Sequence, residues 1–238
     1  MAHTFALGLL LAAIAVIGIA LPRTDGQLGF VGQRAVLAWL AIAALMAAVA
    51  AVAGHGVTGF WRGVLIDDRH RLSLSRLQML LWTVLVLSAY MAAALANIGR
   101  DSASPLNVDI PSELWLVMGI STASLVASPA ALAYKQRRRP GQVETLPAEQ
   151  DSQFADLFRG EEVTDSHHLD LGKVQMFLFT VVVVLGYGLA LGAMFEDTTG
   201  TFATLPSVDE AVVTLLAISH AGYLTKKAVP TAPPPAGA

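Results

Sequence analysis

Two short runs, "DRH" at Asp68–His70 and "DSH" at Asp165–His167, are the places where residue type and spacing could do chemistry in this chain. In an extended backbone residues two apart face the same way. Asp68 with His70, and Asp165 with His167, would then each present a carboxylate and an imidazole together. Brought together across a twofold, four such N/O donors suit a divalent ion, Zn²⁺ being the natural choice, with His168 as a substitute ligand. The competing explanation is interfacial charge among Arg69 and Arg71. No other cofactor is expected. Cysteine is absent, which excludes disulfides and thiolate chemistry. No nucleophile elbow, phosphate-binding glycine loop, His-Glu-x-x-His or dinucleotide fingerprint occurs, so an enzyme is not expected.

A second pattern is a stripe of polar residues seven apart. Arg76, Thr83, Tyr90 and Asn97 fall on one helical face, and Lys173, Thr180 and Tyr187 repeat the series further on. Facing each other, the two stripes would line a narrow polar path with a basic mouth. Polar side chains at such depth equally serve as interhelical glue. Gln78 and Gln175 lie on a different face and want a bonding partner on a neighbouring helix. Ser121 and Ser219 belong to small polar faces suited to close packing. His220, a titratable group within an apolar stretch, defaults to a functional candidate. Lys135, Arg137, Arg138 and Arg139 form a basic cluster that could attract anionic lipid headgroups.

The elements that must carry these residues are set by apolarity. Hydrophobic residues make up 55% of the 238 and charged residues 14%, where a soluble domain has about 25% charged. Six stretches approach the ~20 residues that cross a bilayer as helix: Phe5–Leu21, Ala35–Ala53, Leu77–Ile98, Leu114–Tyr134, Val174–Phe195 and Val208–Thr225. The first resembles a secretory h-region, but it has no basic n-region and no clear cleavage site, so a retained helix is expected. With the N-terminus cytoplasmic, twelve Lys/Arg fall inside (Arg62, Arg69, Arg71, Arg76, Lys135, Arg137, Arg138, Arg139, Arg159, Lys173, Lys226, Lys227). Three fall outside (Arg23, Arg34, Arg100). The positive-inside bias therefore puts both termini in the cytoplasm. The net charge of -3 leaves no footprint for nucleic acid.

One phrase is written twice. "RGVLIDDRHRLSLSRLQMLLWT" from Arg62 returns as "RGEEVTDSHHLDLGKVQMFLFT" from Arg159. Over residues 61–98 and 158–195, an offset of 97, 15 of 38 positions are identical without a gap. Arg-Gly, Asp-x-His, Gln-Met, Thr and Tyr in one register point to an internal duplication. Each copy is a basic arm followed by a helical hairpin, and two crossings leave both copies in the same orientation. Alternating Leu72/Leu74 and Leu169/Leu171 predict half-buried extended arms that could pair with each other.

The expected architecture is all-α and polytopic, with about six transmembrane helices and a duplicated hairpin plus a short extended cytoplasmic arm. Residues 1–53 hold two helices that brace the bundle or make an oligomer contact, the second bearing a small face of Ala41, Ala44, Ala48 and Ala51. Residues 54–134 and 158–227 are the two repeats. Residues 135–157 are a basic-then-acidic flexible linker, and 228–238 a disordered tail. Alanine-rich helices suggest a bacterial inner membrane protein, in contact with the lipid bilayer and assembled as a homo-oligomer or membrane complex. With no intramembrane carboxylate, proton-driven transport is disfavoured. The expected role is a passive pore or channel-like subunit lined by the polar stripes, because the stripe recurs in both copies; the alternative is a non-catalytic scaffold recruiting a partner through arms and linker.

Overall fold

The computed structural model describes residues 8–10, 12–13, 31–197 and 200–229. Among the described residues from 31 onward, five α-helices succeed one another: α1 Val31–Thr58, α2 Leu74–Gly99, α3 Ser112–Arg138, α4 Leu171–Glu196 and α5 Glu210–Ala228. Arg34–Thr58, α2, α3 and α4 are long and apolar enough to cross a membrane. α5 is not among them, because its 19 residues carry Glu210, His220, Lys226 and Lys227. Of the Phe5–Leu21 stretch, residues 8–10 and 12–13 are described and helical; the rest of it and the tail from Pro230 lie outside the described residues.

Local chemistry sets the helix starts. Ser73 caps α2 by accepting from the Arg76 amide, and Asp170 caps α4 by accepting from Gly172 and Lys173. Asp209 does the same for α5 at Ala211. Each side-chain oxygen satisfies an amide the first turn leaves without a partner. α3 ends in Lys135, Arg137 and Arg138, which complement the negative end of its dipole.

The two hairpins coincide under the sequence offset. α2 begins at 74 and ends at 99, α4 at 171 and 196, a shift of 97 at both ends; α3 starts at 112 and α5 at 210, a shift of 98. Cross-contacts give the directions. Gln78, early in α2, donates to Thr180, early in α4, while Asn97 at the end of α2 bonds Phe202 just past α4. α2 and α4 therefore run the same way. Ser124 meets His220 and Ser128 meets Lys227, so α3 and α5 are parallel as well.

α1 lies along both α2 and α4: Trp39 donates to Ser88 at 3.1 Å and stacks on Phe195. With Ile42, Trp82, Val86, Leu114, Val117, Tyr187 and Leu191 these form the main core. The outward faces are apolar too. Leu178, Val182, Leu185 and Leu189 of α4 are 55–77% exposed and stand three to four residues apart. A continuous apolar stripe directed outward suits lipid rather than water. The Ala41, Ala44, Ala48 and Ala51 face of α1 is at most half-buried.

The end bearing the arms departs from expectation. The half-buried strands do not form, and among the described residues there are only isolated bridges. Each arm turns back on itself, Ile66 bridging Leu72 and Arg159 bridging Leu169. The carboxylates cause it. Asp67 Oδ1 accepts from the amides of Arg69 and Arg71, a side-chain-closed turn, and His70 sits at φ 59°, outside extended space. In the second arm Asp165 accepts from the Glu162 amide. Gly63 enters the first arm against α1. A Cβ there would lie 1.9 Å from Thr58 Oγ1 and 2.6 Å from the Gly54 carbonyl.

The expected flexible linker is instead tied down along its length. Val143 bridges Glu162, the Leu146 amide donates to the Arg69 carbonyl, and its own carbonyl meets His70 Nδ1 at 2.9 Å. Arg62 donates to Ser152 and Gln150, and short 3-10 turns cover Glu149–Asp151 and Phe154–Leu157. Backbone amides near an apolar core need partners, and both arms supply them.

Candidate functional site

The arms and linker converge on a buried ionic cluster. Glu161 Oε1 lies 2.8 Å from Lys173 Nζ and 2.9 Å from Lys227 Nζ, and its other oxygen contacts Arg69. Tyr223 donates to the same carboxylate at 3.3 Å, and Lys227 donates to Tyr223 at 2.6 Å and to Ser128. Four segments meet here: the first arm through Arg69, the second through Glu161, α4 through Lys173 and α5 through Lys227. Around this centre Arg69 pairs with Asp67, Arg71 with Asp156 and Lys135 with Glu162. Arg71 also donates to the Gly160 carbonyl at 2.7 Å. The arms are thus joined by side chains, not by strand pairing.

Burial works to raise the Glu161 pKa, but Lys173, Lys227 and Arg69 outweigh it and hold the carboxyl well below the usual carboxylate range. Arg69 is the converse: burial opposes its charge, and Glu161 and Asp67 more than offset this, raising its pKa. A charge in such surroundings persists only when paired and hydrogen-bonded. Five cations (Arg69, Arg71, Lys135, Lys173, Lys227) meet four carboxylates (Asp67, Asp156, Glu161, Glu162), one positive charge in excess.

The four proposed metal ligands are not assembled. Among the described residues no three acidic or imidazole side chains converge as a metal site. His70 is engaged with the Leu146 carbonyl and Asp165 with its own turn, while Asp68 and His167 are exposed. The sequence register is one residue out in space: Asp67, not Asp68, closes the first turn as Asp165 closes the second.

Nor do the polar stripes face each other. Lys173, Thr180 and Tyr187 are buried, whereas Arg76, Thr83 and Tyr90 are only half-buried. Thr180 receives a 2.6 Å hydrogen bond from Gln78 and donates to Met176. Tyr187 donates to Pro206, Tyr90 to Leu106, and the Asn97 amide both gives to and takes from the Phe202 backbone at 2.8 Å. Gln175, the sequence counterpart of Gln78, is exposed. Ser121 and Ser219 are buried between helices, and His220 is buried with Nδ1 at 2.5 Å from Ser124 Oγ. Lys135 is 3% exposed and bound to Glu162, which removes it from any headgroup cluster; Arg137, Arg138 and Arg139 remain at the surface.

Glu161, Glu162, Asp156 and Lys227 were not picked out by residue pattern. A signal was present at Gly63-Val64-Leu65 against Gly160-Glu161-Glu162, where the second occurrence of the phrase has two acids in place of two apolar residues. Acids placed where the equivalent positions are apolar need cations nearby, and these come from the first arm, α3, α4 and α5.

The fold and its outward apolar faces are compatible with an integral membrane protein. Compared with protein families, with curated proteins and with solved structures, the chain finds no match.

Proposed function

We propose that this chain is a non-catalytic membrane scaffold. In this reading six helices span a bacterial inner membrane, with both termini in the cytoplasm. Residues 1–53 are the bracing pair, 54–134 and 158–227 two copies of a duplicated hairpin, and 228–238 a tail. The arms and the 135–157 segment form a rigid cytoplasmic platform that presents itself to a partner protein. The observation carrying the proposal is the Glu161 cluster, in which one carboxylate fastens both arms, α4 and α5 together. Buried ion pairs add little net stability over apolar packing but can impose a single arrangement, which is what a presenting surface requires. The matching helix bounds and parallel directions of the hairpins support the duplication.

The pore reading has less behind it, because Asn97, Thr180 and Tyr187, which would line the path, spend their polar atoms on Gln78 and on backbone groups of Met176, Phe202 and Pro206. The two readings separate in one preparation. Reconstituted in planar bilayers, the protein is expected to be silent across pH and salt. Affinity purification from membranes should recover a partner at fixed stoichiometry, lost when residues 140–158 are replaced by a Gly/Ser spacer. A conductance altered by Thr83→Val with Thr180→Val would defeat the scaffold.

A further inference from the structure

A cavity of about 560 Å³ lies between the first arm, the start of α2 and the last turns of α3. That volume falls within the ~300–1,000 Å³ of small-molecule sites. Its walls divide by chemistry. The arm contributes Asp67, Asp68 and Arg69 and the first turn of α2 Arg76; deeper along the helices are Met79, Leu80, Leu125 and Leu132, with Ser128 and Gln136 the polar groups on that side. The apolar wall belongs to two helices able to cross a membrane, and the charged wall to the arm just before α2 and to Arg76 in its first turn. Such a division matches an amphiphile entering from one leaflet.

The charges narrow its class. Asp67 and Arg69 are committed to each other, and Arg69 also to Glu161. The side chains of Asp68 and Arg76 make no hydrogen bond or ion pair among the described residues. Arg76 is half-buried at the mouth of the apolar wall, where a guanidinium fork matches a phosphate. Asp68 accepts hydrogen bonds that a primary ammonium can give and a trimethylammonium cannot. Pro129, also in the wall, has no N–H to offer the Leu125 carbonyl, leaving a further acceptor without its helical donor.

We infer that this cavity holds one aminophospholipid, with its phosphate on Arg76, its primary ammonium at Asp68 and its upper acyl chain along Met79, Leu80, Leu125 and Leu132. The inference requires α2 and α3 to lie in the bilayer and is independent of the scaffold role.

The test uses the full chain in detergent with an equimolar mixture of phosphatidylethanolamine, phosphatidylcholine and phosphatidylglycerol of identical acyl chains, read by native mass spectrometry. One phosphatidylethanolamine should be retained, about tenfold or more over the other two, as expected for the loss of one charge-assisted contact. Arg76→Gln and Asp68→Asn should each reduce retention by a similar factor. Neither side chain has a protein partner to lose, so an unchanged melting temperature will report intact folding. Ala133→Trp, which fills the cavity while keeping both charges, should also abolish retention. Equal retention of the three lipids, or binding unaffected in both charge variants, would overturn the inference. So would equally tight binding of phosphoethanolamine alone, since the apolar wall would then have no role.

Discussion

Replacing Glu161 by Gln keeps the side-chain volume and removes one charge, leaving Lys173, Lys227 and Arg69 around a neutral amide. The cluster's excess of positive charge rises from one to two, in a place where solvent supplies little relief. Removing one partner of a buried ion pair costs about 3–5 kcal/mol. For a chain of this size that corresponds to a fall of roughly 6–20 °C in melting temperature. The assay is thermal unfolding in detergent, followed by tryptophan fluorescence and by retention of soluble protein. The loss should be partly restored in Glu161→Gln with Lys227→Met, which returns the excess to one. The pH dependence follows from the same geometry. Glu161 is held below its unfolded value, so its contribution is fully present above the ordinary carboxylate range, near pH 4.5. It is lost only as pH falls through the lower folded value. Wild-type stability should therefore stay flat on acidification to about pH 5 as far as Glu161 is concerned. A change under 2 °C for Glu161→Gln, with no recovery in the double variant, would refute the view that this carboxylate fastens the four segments.

Three further outcomes follow from particular contacts. Gly63→Ala places a methyl against Thr58 and the Gly54 carbonyl and should cost about 1–3 kcal/mol; adding Thr58→Ala should recover only part, because the second obstacle is backbone. Asn97→Leu leaves the buried amide and carbonyl of Phe202 unpaired, at about 1–3 kcal/mol each, and should expose residues 200–205 to limited proteolysis. A double-mutant cycle on Gln78→Leu and Thr180→Val should give a coupling of about 0.6–1.7 kcal/mol, whereas the same cycle on Gln175 and Thr83 should give none.

Helix existence was legible because it depends on short-range chemistry. Long apolar runs are local facts, and the caps Ser73, Asp170 and Asp209 act within one turn of their helices. The apolar runs alone place α2 through α5 within a few residues of the observed bounds. The failures began where a residue's role depended on something distant in the chain. Asp68 and His70 had ligand spacing only for as long as the arm was taken as extended. The turn closed by Asp67 removed that spacing.

Composition, helical period and the repeated phrase are properties of a chain read in order. From them come the apolar helices and the like direction of the two hairpins. Which copy of a polar residue turns inward is settled by neighbours, and no period contains that information. Thr83 and Thr180, or Gln78 and Gln175, hold equivalent positions in the repeated phrase and are unequal in burial, because each helix meets different neighbours: Gln78 and Thr180 face each other, while Gln175 faces outward. The pairing of Glu161 with cations from three other segments was likewise decided by packing, since the low-dielectric interior accepts a carboxylate only where such partners already converge.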